Sequence, residues 1–442
     1  MSDSGMTPTE VQRIRDLLNE QAKPLGMYSP EETLEGETAV GELRRRGASA
    51  GEDDLQLYSL VAEDGVLYWR EGVGLPAAGG ARRRGGRGWG GGEIVDQRKF
   101  FRLGRSEIAS YLEDLDRKLT PNFGKLRRLK DNGRLVNVKK PAVAGRILLF
   151  VHGTFSNNDK VLQDLKAAPQ NAGAKLLADA TGHYDEVLTY DHPTLGVTPM
   201  LNALDLARLF QESRADVDVV THSRGGLVTR WWLEALDPVP RQRRAVLVGS
   251  PLGGTSLAAP DKIRNGLDLM ANLGNVLAAG TAMIPFMQVA AGLLRLTSSV
   301  TSLVANTPAV DAAVALVPGL AGQSRVENNA ELNRLRESLR KPAPEYFVVR
   351  SDYRPEDVGW KFWKVFADWK QRAANLAADH LVFDAENDLV VDTSSMSEFG
   401  SQPFVSDDTH MLDFGTSHTV YHTNYFSQAQ TVEFLRRSLG IP

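Results

Sequence analysis

Cysteine is absent from this chain of 442 residues, which excludes disulfides, thiolate metal sites and a cysteine nucleophile. Strong charge of either sign is also missing. The formal net charge is −4, and nothing in that balance points to a nucleic-acid partner. The opening stretch, Met1 to Glu20, carries Asp3, Glu10 and Asp16 but no apolar core, so Sec-type export is not expected and a cytoplasmic setting is. There is no His-Glu-x-x-His and no Gly-Lys-Ser/Thr phosphate loop. The glycine-rich residues 79–92 lack a lysine followed by a hydroxyl and do not open a helix. Neither a metal nor another cofactor is therefore expected. What is present is ordinary: 42% hydrophobic residues, in a chain long enough for one large domain with insertions or two moderate ones.

Residues 1–140 read differently from the rest and are expected to form an N-terminal extension or a small β-containing domain. Leu55 to Ala62, then Glu63-Asp64-Gly65, then Val66 to Trp69 predicts a β-hairpin around an Asp-Gly turn. Residues 81–92 are a Gly/Arg-rich run with too little apolar content to fold alone, and read as a loop. The basic run ending in Arg127, Arg128, Lys130, Arg134, Lys139 and Lys140 reads as a solvated face, with an anionic surface as the alternative.

From Arg146 onward strands alternate with helices, the pattern of a mostly parallel sheet. Strands are expected at Ile147–Val151, Glu186–Tyr190, Val217–Val220, Ala245–Val248 and Glu345–Val349. Helices are expected at Leu162–Leu177, Met200–Ser213, Leu227–Leu236 and Ala429–Leu439. Between them lies a long insertion, about 255–340, whose residues 269–294 carry no charge. Asn272, Asn275, Gln288, Pro285 and several glycines lower its hydropathy, so an apolar helical lid or cap is expected in place of a membrane span.

The segment that decides the chemistry is Thr221-His222-Ser223-Arg224-Gly225-Gly226. An apolar β-branched strand precedes it and a helical pattern follows, so Ser223 is expected at the tip of a strained strand-to-helix turn. The bland alternative is a loop serine capping the helix. With this setting, roughly residues 140 to 442 resemble the α/β-hydrolase superfamily and, within it, the bacterial lipase/esterase-like branch. One departure is visible, since the family turn usually opens with Gly or Ala and this one opens with Thr221.

The resemblance implies an α/β-hydrolase core over 141–442 and residues in the chain order Ser, Asp, His. Val151-His152-Gly153-Thr154-Phe155-Ser156 is similar to the family's His-Gly-x loop, which makes the amide of Thr154 one oxyanion donor, with Phe155 as the near alternative and Arg224 as the second. The acid is expected at Asp388, in a segment similar to the family's Asn-Asp-Gly-Val-Val, with Leu389 in place of the glycine and Asp384 and Asp392 as rivals. The base is expected at His422, with His418 as the alternative; both precede the last helix. His152, Phe155, His222 and Leu252 are assigned to the substrate site, and His152 also to support of the oxyanion loop. Gly249 to Thr255, Val317 to Ser324 and Ala330 to Asn333 are further segments similar to lipase loops.

The sequence thus predicts a serine carboxylester hydrolase acting on a small-molecule or lipid ester with an apolar acyl chain. The alternatives are a phospholipase or acyltransferase in transient contact with a membrane surface, and a non-catalytic binding module on the same fold.

Overall fold

Ile147, Leu149 and Val151 pack into one hydrophobic cluster, while Leu148 and Phe150 pack into another. That alternation places their strand between two helical layers, as an unbroken apolar run requires. In the computed structural model, the described residues are scattered positions between 8 and 29, the strands at 55–63, 66–71 and 93–101, then 105–255 and 258. Beyond these come 317–325, 329–337, 344–354, 386–388, 390–401, 404 and 406–442.

The chain divides into two compact units. The first contains β1 (Met27–Tyr28), β2 (Leu55–Glu63), β3 (Val66–Glu71) and β4 (Glu93–Phe101), an antiparallel sheet in the order β1-β4-β2-β3. Strands β2 and β3 pair from Tyr58 opposite Glu71 to Glu63 opposite Val66. The turn at Asp64-Gly65 and the Gly/Arg-rich run 81–92 lie outside the described residues.

The second unit holds β5 (Lys125–Leu129), β6 (Leu135–Val138), β7 (Arg146–Val151), β8 (Glu186–Asp191), β9 (Asp216–His222), β10 (Arg243–Val248), β11 (Glu345–Tyr353) and β12 (Met411–Ser417). Their order across the sheet is β12-β11-β10-β9-β7-β8-β5-β6. Helix α1 (Arg105–Leu119) precedes β5 in the chain and α6 (Ala330–Glu337) precedes β11. Strands β7 to β12 are parallel, while β5 runs antiparallel to β8 and β6 antiparallel to β5. This is the mostly parallel α/β core expected from the sequence.

Two expectations need correction. The basic run is not simply a solvated face, because β5 carries Arg127 and Arg128 into the sheet. Arg127 is buried and bonds Asp191 and Asp159 at 2.7 Å each, and Arg128 pairs with Glu186. Lys130, Arg134, Lys139 and Lys140 do remain exposed. The helix expected over 162–177 is two helices, α2 (Asn158–Lys166) and α3 (Ala172–His183). Pro169 interrupts it, with Gln170 and Asn171 both at positive φ, a backbone state that no continuous helix contains.

Helices α2, α3 and α7 (Ala429–Leu439) contribute to one apolar cluster through Leu162, Leu165, Leu176, Leu177, Val432 and Leu435. On the other face α4 (Pro199–Phe210) and α5 (Gly225–Arg230), continued as a π turn over Trp231–Leu236, bring Leu206, Phe210, Leu227 and Trp232. The bulk of the insertion, including 269–294, lies outside the described residues. Its two flanks stand side by side, joined by a bridge between Thr255 and Ser324 and by Thr255 N–H donating to the Gln323 carbonyl at 2.9 Å. Among the described residues no helix is long and apolar enough to cross a membrane.

Candidate active site

The residues singled out from the sequence gather where the parallel strands end, the place where open α/β sheets bind ligands. Strand β9 delivers Ser223, which sits at φ 52° in the left-handed region. For a residue with a side chain that conformation costs about 1–2 kcal/mol. It is held by Ser223 N–H donating to the Val248 carbonyl at 2.8 Å and by Gly226 N–H returning to the Ser223 carbonyl at 2.9 Å. Gly225 is obligatory here, because a Cβ on it would stand 2.4 Å from the Val151 carbonyl oxygen. Thr221, the departure noted above, is fully buried on the strand, with its hydroxyl 3.5 Å from the Val246 carbonyl.

His422 follows β12, and Asp388 lies beside the end of β11, where Tyr353 N–H donates to the Asn387 carbonyl at 2.8 Å. His422 Nδ1 is 2.8 Å from Asp388 Oδ2, and its backbone N–H donates to the Asp388 carbonyl at 3.0 Å. A carboxylate accepts, so Nδ1 carries the proton and Nε2 is left as the acceptor. The other carboxylate oxygen takes the N–H groups of Val390 and Val391 at 3.1 and 2.8 Å. The pair flanks the Ser223 turn: a Cβ on Gly249, the residue after Val248, would stand 3.4 Å from both His422 Nδ1 and Asp388 Oδ2.

The described alternatives have other partners. His418 is exposed and its Nδ1 bonds the Arg354 carbonyl. Asp392 is buried and pairs with Arg325 at 3.1 Å. Asp384 and Leu389 lie outside the described residues.

Of the four side chains assigned to the substrate site, His152 and Leu252 have no exposed surface. Leu252 belongs to the apolar cluster below the sheet end. His152 faces protein groups, with Nδ1 donating to the Gly153 carbonyl at 2.8 Å. His222 donates through Nε2 to the His422 carbonyl at 2.8 Å, the two rings 4.8 Å apart. It thus tethers the backbone of His422. Burial, reinforced by His422, lowers the pKa of His222 to about 3. Phe155 is half-buried and sits at φ 55°. Thr154 donates its hydroxyl to Gln323 Oε1 at 2.9 Å. Among the described residues none accepts a hydrogen bond from the backbone N–H of Thr154, Phe155 or Arg224.

Sequence reasoning gave no role to Tyr425, whose hydroxyl donates to Asp388 Oδ2 at 3.0 Å from a fully buried position. Burial and the neighbouring Asp388 push its pKa well above the usual phenol value, so it stays a donor. His192 and Asp116 were also passed over. The signal for His192 was its place directly after β8, as His152 stands directly after β7. Asp116 had no local signal, since its partners are the amides of Thr194, Leu195 and Gly196. Among the described residues no cluster of His, Asp and Glu could hold a metal ion.

A family described as a domain of unknown function, DUF7379, matches residues 115–440. Among curated proteins none matches the chain. Solved structures similar to it include a Bacillus licheniformis lipase in its mature form, at 16% identity and a TM-score of 0.32, covering 71% of this chain and 97% of that one. Lipase 1 from Pelosinus fermentans is similar at 14% identity and a TM-score of 0.38, covering 66% and 97%. Est816, an N-acyl homoserine lactone degrading enzyme, is similar at 15% identity and a TM-score of 0.34, covering 70% and 98%.

Proposed function

The chain belongs to the DUF7379 family, and from the chemistry gathered at its strand ends we propose that it is a serine carboxylester hydrolase. Its substrate is a small-molecule or lipid ester with an apolar acyl chain. The observation that carries this reading is the 2.8 Å bond from His422 to a buried Asp388, beside a serine held at φ 52° on a strand-to-helix turn.

In this reading Ser223 attacks the acyl carbonyl while His422 takes its proton at Nε2. Asp388 holds Nδ1–H and stabilises the imidazolium that forms. The tetrahedral oxyanion is met by the backbone N–H groups of Thr154 and Arg224, with Phe155 as the near alternative for the first. His422 then returns the proton to the leaving alcohol, an acyl-enzyme remains, and water completes the cycle by the same steps. The lipase/esterase-like branch is the specific placement within the superfamily that this reading favours.

Labelling with a fluorophosphonate probe, followed by mass spectrometry, tests it: the adduct is expected on Ser223, and Ser223→Ala abolishes both labelling and the hydrolysis of short-chain nitrophenyl esters. An unlabelled Ser223 in folded protein would instead favour a non-catalytic module, and retained turnover in the variant would remove the serine from the mechanism. The interfacial version, a phospholipase or acyltransferase, requires a jump in rate when the substrate aggregates. Arg127 is buried against Asp191 and the half-exposed Arg128 is paired with Glu186, so neither charge is free for the surface it would use.

A further inference from the structure

Arg224 is fully buried, and its guanidinium reaches away from the nucleophile turn into the segment after β8. Nη2 donates to the Val197 carbonyl and Nη1 lies 2.9 Å from His192 Nδ1. Arginine can only donate, so His192 Nδ1 accepts and the ring proton sits on Nε2. From there it donates to the His152 carbonyl at 3.0 Å. His152 is fixed in the same way. Its Nε2 accepts the His192 backbone N–H at 3.0 Å, so its proton sits on Nδ1 and donates to the Gly153 carbonyl at 2.8 Å. The two rings stack at 4.2 Å and 9°. Burial keeps both imidazoles neutral, holding their pKa values below the ordinary range.

The last bond in this series has a consequence for the site. The Gly153 carbonyl and the Thr154 N–H belong to one planar trans peptide and point in opposite directions. Holding the carbonyl against His152 therefore aims the Thr154 N–H the other way. At the opposite end of the series, Arg224 carries the second N–H on its own backbone. We infer that the side chain of Arg224, acting through His192 and His152, sets the Gly153–Thr154 peptide, so that the two oxyanion donors are positioned by one hydrogen-bonded series. The inference rests on the ester-hydrolase reading above. Arg224 and His192 are positioning residues in it and touch no substrate. The segment they grip is itself anchored, since Asp116 accepts the N–H groups of Thr194, Leu195 and Gly196 at 2.6, 3.0 and 2.8 Å.

The test uses the full chain carrying His192→Phe, which keeps a ring to stack on His152 but neither nitrogen, and Arg224→Met, together with the double variant. Arg224→Lys, which keeps the charge and one donor, serves if Arg224→Met does not fold. Turnover of a nitrophenyl ester, affinity for a trifluoromethyl ketone that forms a tetrahedral adduct, and thermal unfolding are measured on each. In each single variant kcat is expected to fall by up to about 10²-fold, the loss seen when one oxyanion donor goes. KM stays within about twofold, ketone affinity falls in step with kcat, and the double variant is no worse than the worse single one. Folded variants with unchanged kcat, a loss confined to KM, or losses that multiply in the double variant would each overturn the inference. Wild-type protein that neither turns over the ester nor takes the phosphonate on Ser223 would sink the hydrolase reading itself, and this inference with it.

Discussion

Replacing Gly153 by alanine puts a single methyl between the two segments that must cooperate. A Cβ at that position would stand 2.7 Å from Ser223 Cβ and 3.1 Å from both His222 Nδ1 and the His222 carbonyl oxygen. Carbon atoms at contact rest about 3.5–4.0 Å apart, so the loop after β7 and the Ser223 turn must part by roughly 1 Å. Gly153 is not at positive φ, which leaves steric contact as the whole effect. Overpacking of this kind costs about 1–3 kcal/mol of stability. A misplacement of about 1 Å at a reacting centre costs about 10²-fold in rate. The matched control is Gly182→Ala in α3, where an added Cβ meets nothing within 4 Å. There alanine is expected to stabilise by up to about 1 kcal/mol through helix propensity, with no change in rate. Both variants are assayed by urea denaturation and by nitrophenyl ester turnover. If Gly153→Ala keeps wild-type stability and kcat, the close approach of the two segments is wrong and the site as described goes with it.

Buried histidines make stability depend on pH. His222 titrates at about 3 in the folded protein against about 6.5 in an unfolded chain, and His152 and His192 are shifted in the same direction. Between these limits the unfolded state binds the protons, so stability is present at pH 7 and drains as the pH falls from about 6.5 towards 3. His222→Gln, which keeps a donor for the His422 carbonyl, should flatten the decline in urea midpoint between pH 7 and pH 4.5; an unaltered slope would refute the burial argument. Tyr425→Phe removes one of the hydrogen bonds to the Asp388 carboxylate. About 1.5–3 kcal/mol of stability should be lost, the range for bonds to charged groups, with a smaller fall in kcat than Asp388→Ala produces; equal loss of kcat in the two variants would show that the phenol does more than support the carboxylate.

The core of the second unit was readable because its strands are continuous apolar runs and its serine sits between a β-branched strand and a helical pattern. Those are local signals, complete within a few residues. Most of what escaped depended on partners far along the chain. Strand β5 was hidden by Arg127, whose burial makes sense only once Asp191 stands beside it, 64 residues later. The break between α2 and α3 turned on Pro169, which the apolar spacing on either side outweighed. His418 and His422 could not be separated by spacing. They are separated in space by what receives each ring, a carbonyl at Arg354 for the first and the Asp388 carboxylate for the second. Tyr425 drew no role because nothing local assigns a phenol to a carboxylate 37 residues upstream.

Strands β11 and β12 are stacked in sequence at one border of the large sheet, and the aspartate and histidine hang from the connections that follow them. Under the proposed mechanism, a nascent chain assembled only as far as β10 would carry Ser223 without His422, the imidazole assigned to its proton. On that reading reactivity is withheld until the segment after β12 has docked, and a product halted before it would be chemically dormant.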